Sequence, residues 1–287
     1  MATVLFDGLA YGMLLFLIGV GLSITMGMMN FVNLAHGVFA MLGGYVASIA
    51  MSTAMLSFPI ALLLGFASAA VAGALLEYTL FRRLYGAHPL DQVLLSIGIV
   101  FVAIATATYL FGPTMQSFTA PSYLQGNVSA AGVSVGRYRV FLIVCGVLVI
   151  SGLVLALNRT RLGARVRAAV DNRRVAQCTG IHVRRLFFLT FSFGCGLAGL
   201  GGALSLGMLG LDPFFPLKYM VEFLIVVGMG GAGTIVGPFI AALLIGMVDV
   251  AGKYFIPQAG AFLVYLVMIV GLLLRPNGLV ARRGLLP

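Results

Sequence analysis

The sequence predicts an all-α protein, a polytopic transmembrane helical bundle with eight or nine spans and two Gly-interrupted helix pairs related as an internal repeat. Three observations predict it. With 61% apolar residues, 8% charged residues and a mean hydropathy of +1.13, the chain has too few polar groups to build a soluble surface. Its apolar runs are continuous and of membrane length, whereas a β-barrel would show short alternating segments. Its charge is gathered in a few places, above all in the stretch 158–186, where eight arginines face a single acid, Asp171.

In chain order, apolar segments fall at 8–29, 34–56, 58–80, 91–112, 138–157, 187–210, 214–230, 235–251 and 259–274. Each is long enough, or nearly so, to cross about 30 Å of hydrocarbon. The N-terminal residues MATVLFDG put no Lys or Arg ahead of the first apolar run, so that run reads as a retained span and not a cleaved signal. Residues 1–287 form a single transmembrane domain on this reading, with 158–186 as a cytoplasmic loop within it. Segment 214–230 carries Lys218 and Glu222 and is the candidate half-span. The loop 113–137, rich in Pro and Gly, is the largest outer piece. Asp212 with Lys218, and Asp249 with Lys253, read as mixed-charge outer loops.

Of the 17 basic residues, 13 lie in three clusters: Arg82 and Arg83, the 158–186 loop, and Arg275 with Arg282 and Arg283. Two spans separate the first pair of clusters and four the second, so all three fall on one side of the membrane. Lys/Arg bias makes that side cytoplasmic and the N-terminus external. The net charge of +10 is thereby explained without nucleic acid. Cysteines 145, 178 and 195 have no metal-ligand spacing and predict neither a disulfide nor a metal site.

Within the basic loop, 164–179 contains no Pro or Gly, and Gly180 stands where a helix wants its C′ residue, so one helix is expected there. Arg167, Asp171 and Arg174 are spaced to pair along one face. Ala168, Ala169 and Ala176 form a small-residue stripe that suits the approach of another protein and that a mere retention signal would not need.

Two segments share an organisation. LLFLIGVGLSITMGMMNFVNLAHGVFAMLGGYVA is interrupted at 28–37, and YMVEFLIVVGMGGAGTIVGPFIAALLIGM at 228–237. Paired interrupted helices point to a translocation pathway, because broken helices free backbone groups that a cavity or ligand must satisfy. Asn30, Asn33 and His36 would share one arc of a helix, and polar groups at membrane depth are costly enough to suggest a role. The two G-x-G-x-x-G matches, at Gly228 to Gly233 and Gly194 to Gly199, sit in or beside membrane-length runs and lack the soluble strand–turn–helix context of a nucleotide fold. Glu77, Asp91, His36, His88 and His182 form no catalytic dyad or zinc site.

MMNFVNLAHGVFAMLGGYVA, RTRLGARVRAAVDNRRVAQCTGIHVRRLFFLTF, VVGMGGAGTIVGPFIAALLIG and LLRPNGLVARR, in this order, resemble the inner-membrane permease subunits of bacterial branched-chain amino acid ABC importers, and the shorter permease of the usual pair in particular. The resemblance implies a second homologous permease, two ATP-binding cassette subunits that hold ATP and Mg in place of this chain, a periplasmic substrate-binding protein and a lipid environment. It implies that the cytoplasmic loop couples to the ATPases through Arg165, Arg167, Ala168, Ala169, Asp171, Ala176, Gly180 and Ile181. The pathway would be shaped by Asn30, Asn33, His36, Gly37, Gly228, Gly230, Gly231, Gly233 and Thr234. Permeases for urea and short amides look similar, and an ion-coupled secondary transporter would use Glu222 as its intramembrane carboxylate.

Overall fold

The computed structural model describes residues 1–29, 33–85, 87–116, 120–130, 133–276 and 278–280. Eleven helices are seen among them: α1 (Ala2–Met29), α2 (His36–Ser52), α3 (Phe58–Thr79), α4 (Pro89–Phe111), α5 (Arg137–Arg159), α6 (Arg161–Asp171), α7 (Arg173–Cys178), α8 (Val183–Ser205), α9 (Phe215–Gly230), α10 (Val236–Phe255) and α11 (Gly260–Leu274). Six are long and apolar enough to cross a membrane: α1, α3, α4, α5, α8 and α10. Helices α2, α9 and α11, with 17, 16 and 15 residues, are about 22 to 26 Å long and fall short of the hydrocarbon thickness.

Burial sorts the helices into centre and rim. The most apolar window of α1 is 83% buried and that of α5 only 17%, so α1 is a core helix and α5 faces the surroundings. Glycine explains how α1 can be so enclosed. Gly8 and Gly12 lie one turn apart against the α10 backbone at Met247 and at Ala242–Leu243, and Gly21 lies against Gly194 of α8. In a lipid solvent that offers no hydrophobic drive between helices, such close approach supplies the dispersion that holds them. Helix α2 seats on α8 the same way, with Gly43 against Gly199 and Gly44 against the Gly202 carbonyl. Large aromatics fill the spaces left over, with Phe39 edge-on to Phe191 at 6.0 Å and Phe16 edge-on to Phe239 at 5.3 Å.

The basic loops gather at one end of the bundle. Tyr85, which follows α3, meets the Phe187 ring edge-on at 6.0 Å, and Arg173 stacks over that same ring at 5.0 Å. Tyr85 donates a hydrogen bond to Glu77; burial first, then that bond and the carboxylate's charge, push the phenol above its usual range, so it stays a donor. The chain after α11 returns to this end, where Leu279 N donates to Met229 O at 2.7 Å. Asp7 pairs with Arg139 at the opposite end, at 2.8 Å. The charge clusters thus share an end as parity requires, with Arg282 and Arg283 outside the described residues.

Three expectations are corrected. The loop helix expected over 164–179 is two helices, because Asn172 leaves the helical conformation (φ −147°, ψ 104°) and its Oδ1 accepts from Arg174 N and Val175 N, both at 3.1 Å. An asparagine so placed caps the second helix and competes with continuation of the first. Asp171 makes no ion pair among the described residues, and Arg167 instead donates to the Leu157 carbonyl. Finally, the 113–137 segment, expected to be an irregular loop, carries a small antiparallel hairpin, β1 (Asn127–Ala130) with β2 (Val133–Gly136).

Candidate translocation pathway and coupling surface

The first helix break lies between α1 and α2. Asn30 lies outside the described residues. Asn33 is buried, and its Oδ1 accepts from Ala35 N at 3.0 Å, an Asx turn that lets the chain reverse into α2. Among the described residues its Nδ2 has no partner, and neither ring nitrogen of His36, at the first position of α2 and 1% exposed, makes a hydrogen bond of good geometry. The Ile18 carbonyl of α1 is close enough to interact with that ring. Gly37 packs on Pro216, while Ala35 and Val38 cluster with Val100, Ile104 and Leu217, so this break meets the head of α9 and the middle of α4. Buried polar atoms left without a well-formed hydrogen bond among the described residues are uncommon in a packed core.

The second break, between α9 and α10, is closed instead of open. Gly231 (φ 94°) and Gly233 (φ 80°) take left-handed conformations that a residue with a Cβ resists. Ser23 of α1 satisfies the freed backbone: its Oγ donates to Thr234 O at 2.9 Å, and its carbonyl accepts from Gly233 N at 2.8 Å. Thr234 Oγ1 donates to Gly231 O at 3.0 Å. Gly27 admits Gly233 at the next turn of α1, and Gly230 packs on Gly237 and Pro238. Gly228 has open space around it. The two breaks therefore lie one above the other along α1, from the level of Ile18 to that of Ser23 and Gly27, about 10 Å apart at 1.5 Å per residue. Ser23 was invisible in the sequence, one hydroxyl in an apolar helix that acquires a purpose only through α10.

A polar cluster also emerged, of which the sequence reading had placed Asp249 and Lys253 in a loop and Glu222 in a half-span. Asp249 and Lys253 sit one turn apart on α10, with Nζ 2.6 Å from Oδ2; Asp249 is 4% exposed. Tyr11 of α1 donates to Glu222 of α9 beside them, and the lysine stands 5.9 Å from the Tyr11 ring. Three helices are tied together here. Lys253→Met should strand a buried carboxylate and cost about 1–3 kcal/mol, the lower end reflecting a lysine that is itself half exposed. The Lys253→Met/Asp249→Asn pair should recover most of that loss. Thermal unfolding in detergent reads both, and a double variant no more stable than the single one would contradict the pairing.

In the basic loop, Thr160 caps α6 by accepting from Gly163 N at 3.0 Å. Val166, Ala169 and Ala176 turn inward onto Met28, Val183, Leu186 and Phe187, with Ala169 and Ala176 each 2% exposed. This corrects the expected docking stripe. The alanines are small because the loop must lie close on the bundle, and they are unavailable to another protein. Arg165, Arg167, Ala168 and Asp171 remain exposed, Gly180 (φ 80°) is exposed at the end of α7, and Ile181 is half-buried. Val175, 57% exposed on α7, joins that outward face and was not singled out in the sequence. Among the described residues no group of His, Cys, Asp or Glu could hold a metal ion.

BraD of Pseudomonas aeruginosa, a high-affinity branched-chain amino acid transport system permease protein, is 28% identical over 97% of this chain and 95% of its own length. LivH of Escherichia coli K12, with the same description, is 23% identical over 97% of this chain and 94% of its own. No solved structure matches the chain. Residues 4–273 match the family model described as branched-chain amino acid transport system / permease component, and with nearly the whole chain so matched the protein belongs to that family.

Proposed function

We propose that this chain is a multi-pass inner-membrane permease subunit of an ATP-driven importer, forming part of the path for branched-chain amino acids. The observation that carries the proposal is the pair of helix breaks stacked on α1, one with unpartnered buried polar atoms at Asn33 and His36 and the other latched by Ser23, in a chain related to such permeases from end to end. All nine hydrophobic helices then traverse or enter the membrane, and α1–α2 and α9–α10 are the repeated units. Each unit is a helix, a break and a Gly-bearing helix, with the breaks gripping α1 at two levels. Asn33, His36 and Gly37 face the solute, Asn30 keeps the pathway role its sequence position suggests, and Gly228, Gly230, Gly231, Gly233 and Thr234 form the part that moves as the path opens.

The partners of this reading are a second homologous permease, two ATP-binding cassette subunits that carry ATP and Mg, and a periplasmic substrate-binding protein. The ATPases meet the outward face of the loop at Arg167, Ala168, Asp171, Gly180 and Ile181, while Ala169 and Ala176 transmit movement from that face into α8. His36→Leu and Asn33→Leu should each lower leucine uptake about tenfold or more while the complex still assembles. Unchanged uptake in both would remove the first break from the path. One observation favours a second reading: the Tyr11–Glu222 pair is an intramembrane carboxylate of the kind that couples transport to protons. Glu222→Gln separates the two, since it should leave ATP-driven uptake standing and would abolish proton-driven uptake.

A further inference from the structure

Beside α6, two cavities meet. One is a cleft of about 390 Å³ between the end of α7 and the start of α8, headed by Arg165, His182 and Arg185. The other is a groove of about 410 Å³ between α5 and α8, lined by apolar residues such as Leu153, Ala156 and Phe193. Leu162, Leu186 and Leu189 line both, so the arginine-headed cleft adjoins the apolar groove. Leu162 and Leu189 are 55% and 53% exposed, and α5 is the least buried of the long helices, which turns the groove toward hydrocarbon. Among the described residues no carboxylate pairs with Arg165 or Arg185, and none lines the cleft.

We infer that this composite cavity binds one anionic phospholipid of the inner leaflet, its phosphate held by Arg165 and Arg185 and an acyl chain lying between α5 and α8. Guanidinium forks match phosphate oxygens in charge and geometry, and basic pockets between helices at the cytoplasmic level suit such headgroups. A soluble partner could cover the cleft but could not fill a groove that descends along bilayer-facing helices. A helix of another membrane subunit could fill the groove but would leave two cations at its head without an anion. The lipid satisfies both parts at once and would fix α6, and with it the coupling loop, to the membrane surface.

Native mass spectrometry of the full-length chain in neutral detergent, mixed with equal amounts of dioleoyl-phosphatidylglycerol and dioleoyl-phosphatidylcholine, tests the inference. The wild type should retain a single phosphatidylglycerol with a preference of about tenfold, the order expected from a pair of guanidiniums near the surface. Arg165→Gln/Arg185→Gln should erase that preference. Arg161→Gln/Arg174→Gln, which removes the same charge outside the cleft, should keep it. Ala156→Trp, entering the groove from an exposed position, should also release the lipid, and glycerol phosphate at equal concentration should not compete. Equal loss in both arginine pairs would mean diffuse attraction. Undiminished binding in Ala156→Trp together with competition by glycerol phosphate would mean a free-phosphate site. Lost association with the ATPase subunits at unchanged lipid retention in Arg165→Gln/Arg185→Gln would mean a protein-docking cleft. Any of the three overturns the inference.

Discussion

Ala169→Glu is expected to leave the permease inserted but with its cytoplasmic loop detached, and transport lost as a consequence. Ala169 is buried where α6 meets Met28 of α1 and Leu186 and Phe187 of α8, so a glutamate there must either bury a carboxylate or lift the helix. Overpacking together with an uncompensated charge costs roughly 3 kcal/mol, more than a short surface helix can recover from its own hydrogen bonds. Ala176→Glu should act alike, because Ala176 enters the same cluster from α7. Ala168→Glu and Val175→Glu replace exposed neighbours and should leave the loop seated while lowering ATPase stimulation. Proteolysis at the loop arginines distinguishes the two classes: faster cleavage is expected in the inward-facing variants alone. Equal protection of all four variants would mean that the alanines do not hold the loop.

A comparably large effect is expected from Gly202→Val, which should prevent α2 from reaching α8. A Cβ at Gly202 would fall on the backbone of Ala40, and backbone cannot be moved aside as a flexible side chain can. The strain should exceed the roughly 1–3 kcal/mol typical of core overpacking, and α2 carries His36 and Gly37 at its head, so the first break would move with it. Gly98→Val and Gly152→Val meet open space and should change stability by less than about 1 kcal/mol. The yield of monodisperse protein in detergent measures the contrast. Similar yields for all three variants would mean that α2 and α8 are not in glycine-mediated contact.

Helix positions and the gathering of the described basic clusters at one end were readable from composition because the bilayer imposes a length and a charge rule on every segment. The helix breaks were readable for a related reason, since glycine and asparagine in an apolar run signal freed backbone groups. Which groups those breaks would meet was not readable. The Ser23 latch, the Tyr11–Glu222 bond and the inward turn of Ala169 all depend on contacts between segments distant in the chain. Small residues in a basic helix fit a partner's groove and the chain's own bundle equally well, and periodicity alone does not say which. Asn172 did carry a local signal as a helix cap, and the valines of 127–136 a strand signal. Both were outweighed by the uninterrupted helix pattern around them.

Uptake of labelled leucine into proteoliposomes bearing the complete complex, with ATP in the lumen and binding protein supplied outside, tests the central claim most directly. Complexes inserted with their basic loops in the lumen are the ones that reach both ATP and binding protein. Accumulation should require ATP, persist when the proton gradient is collapsed, and fall about tenfold or more with His36→Leu while ATPase subunits remain bound. Accumulation that follows the proton gradient without ATP, or that survives His36→Leu and Asn33→Leu unchanged, would contradict a path for the amino acid through the first helix break.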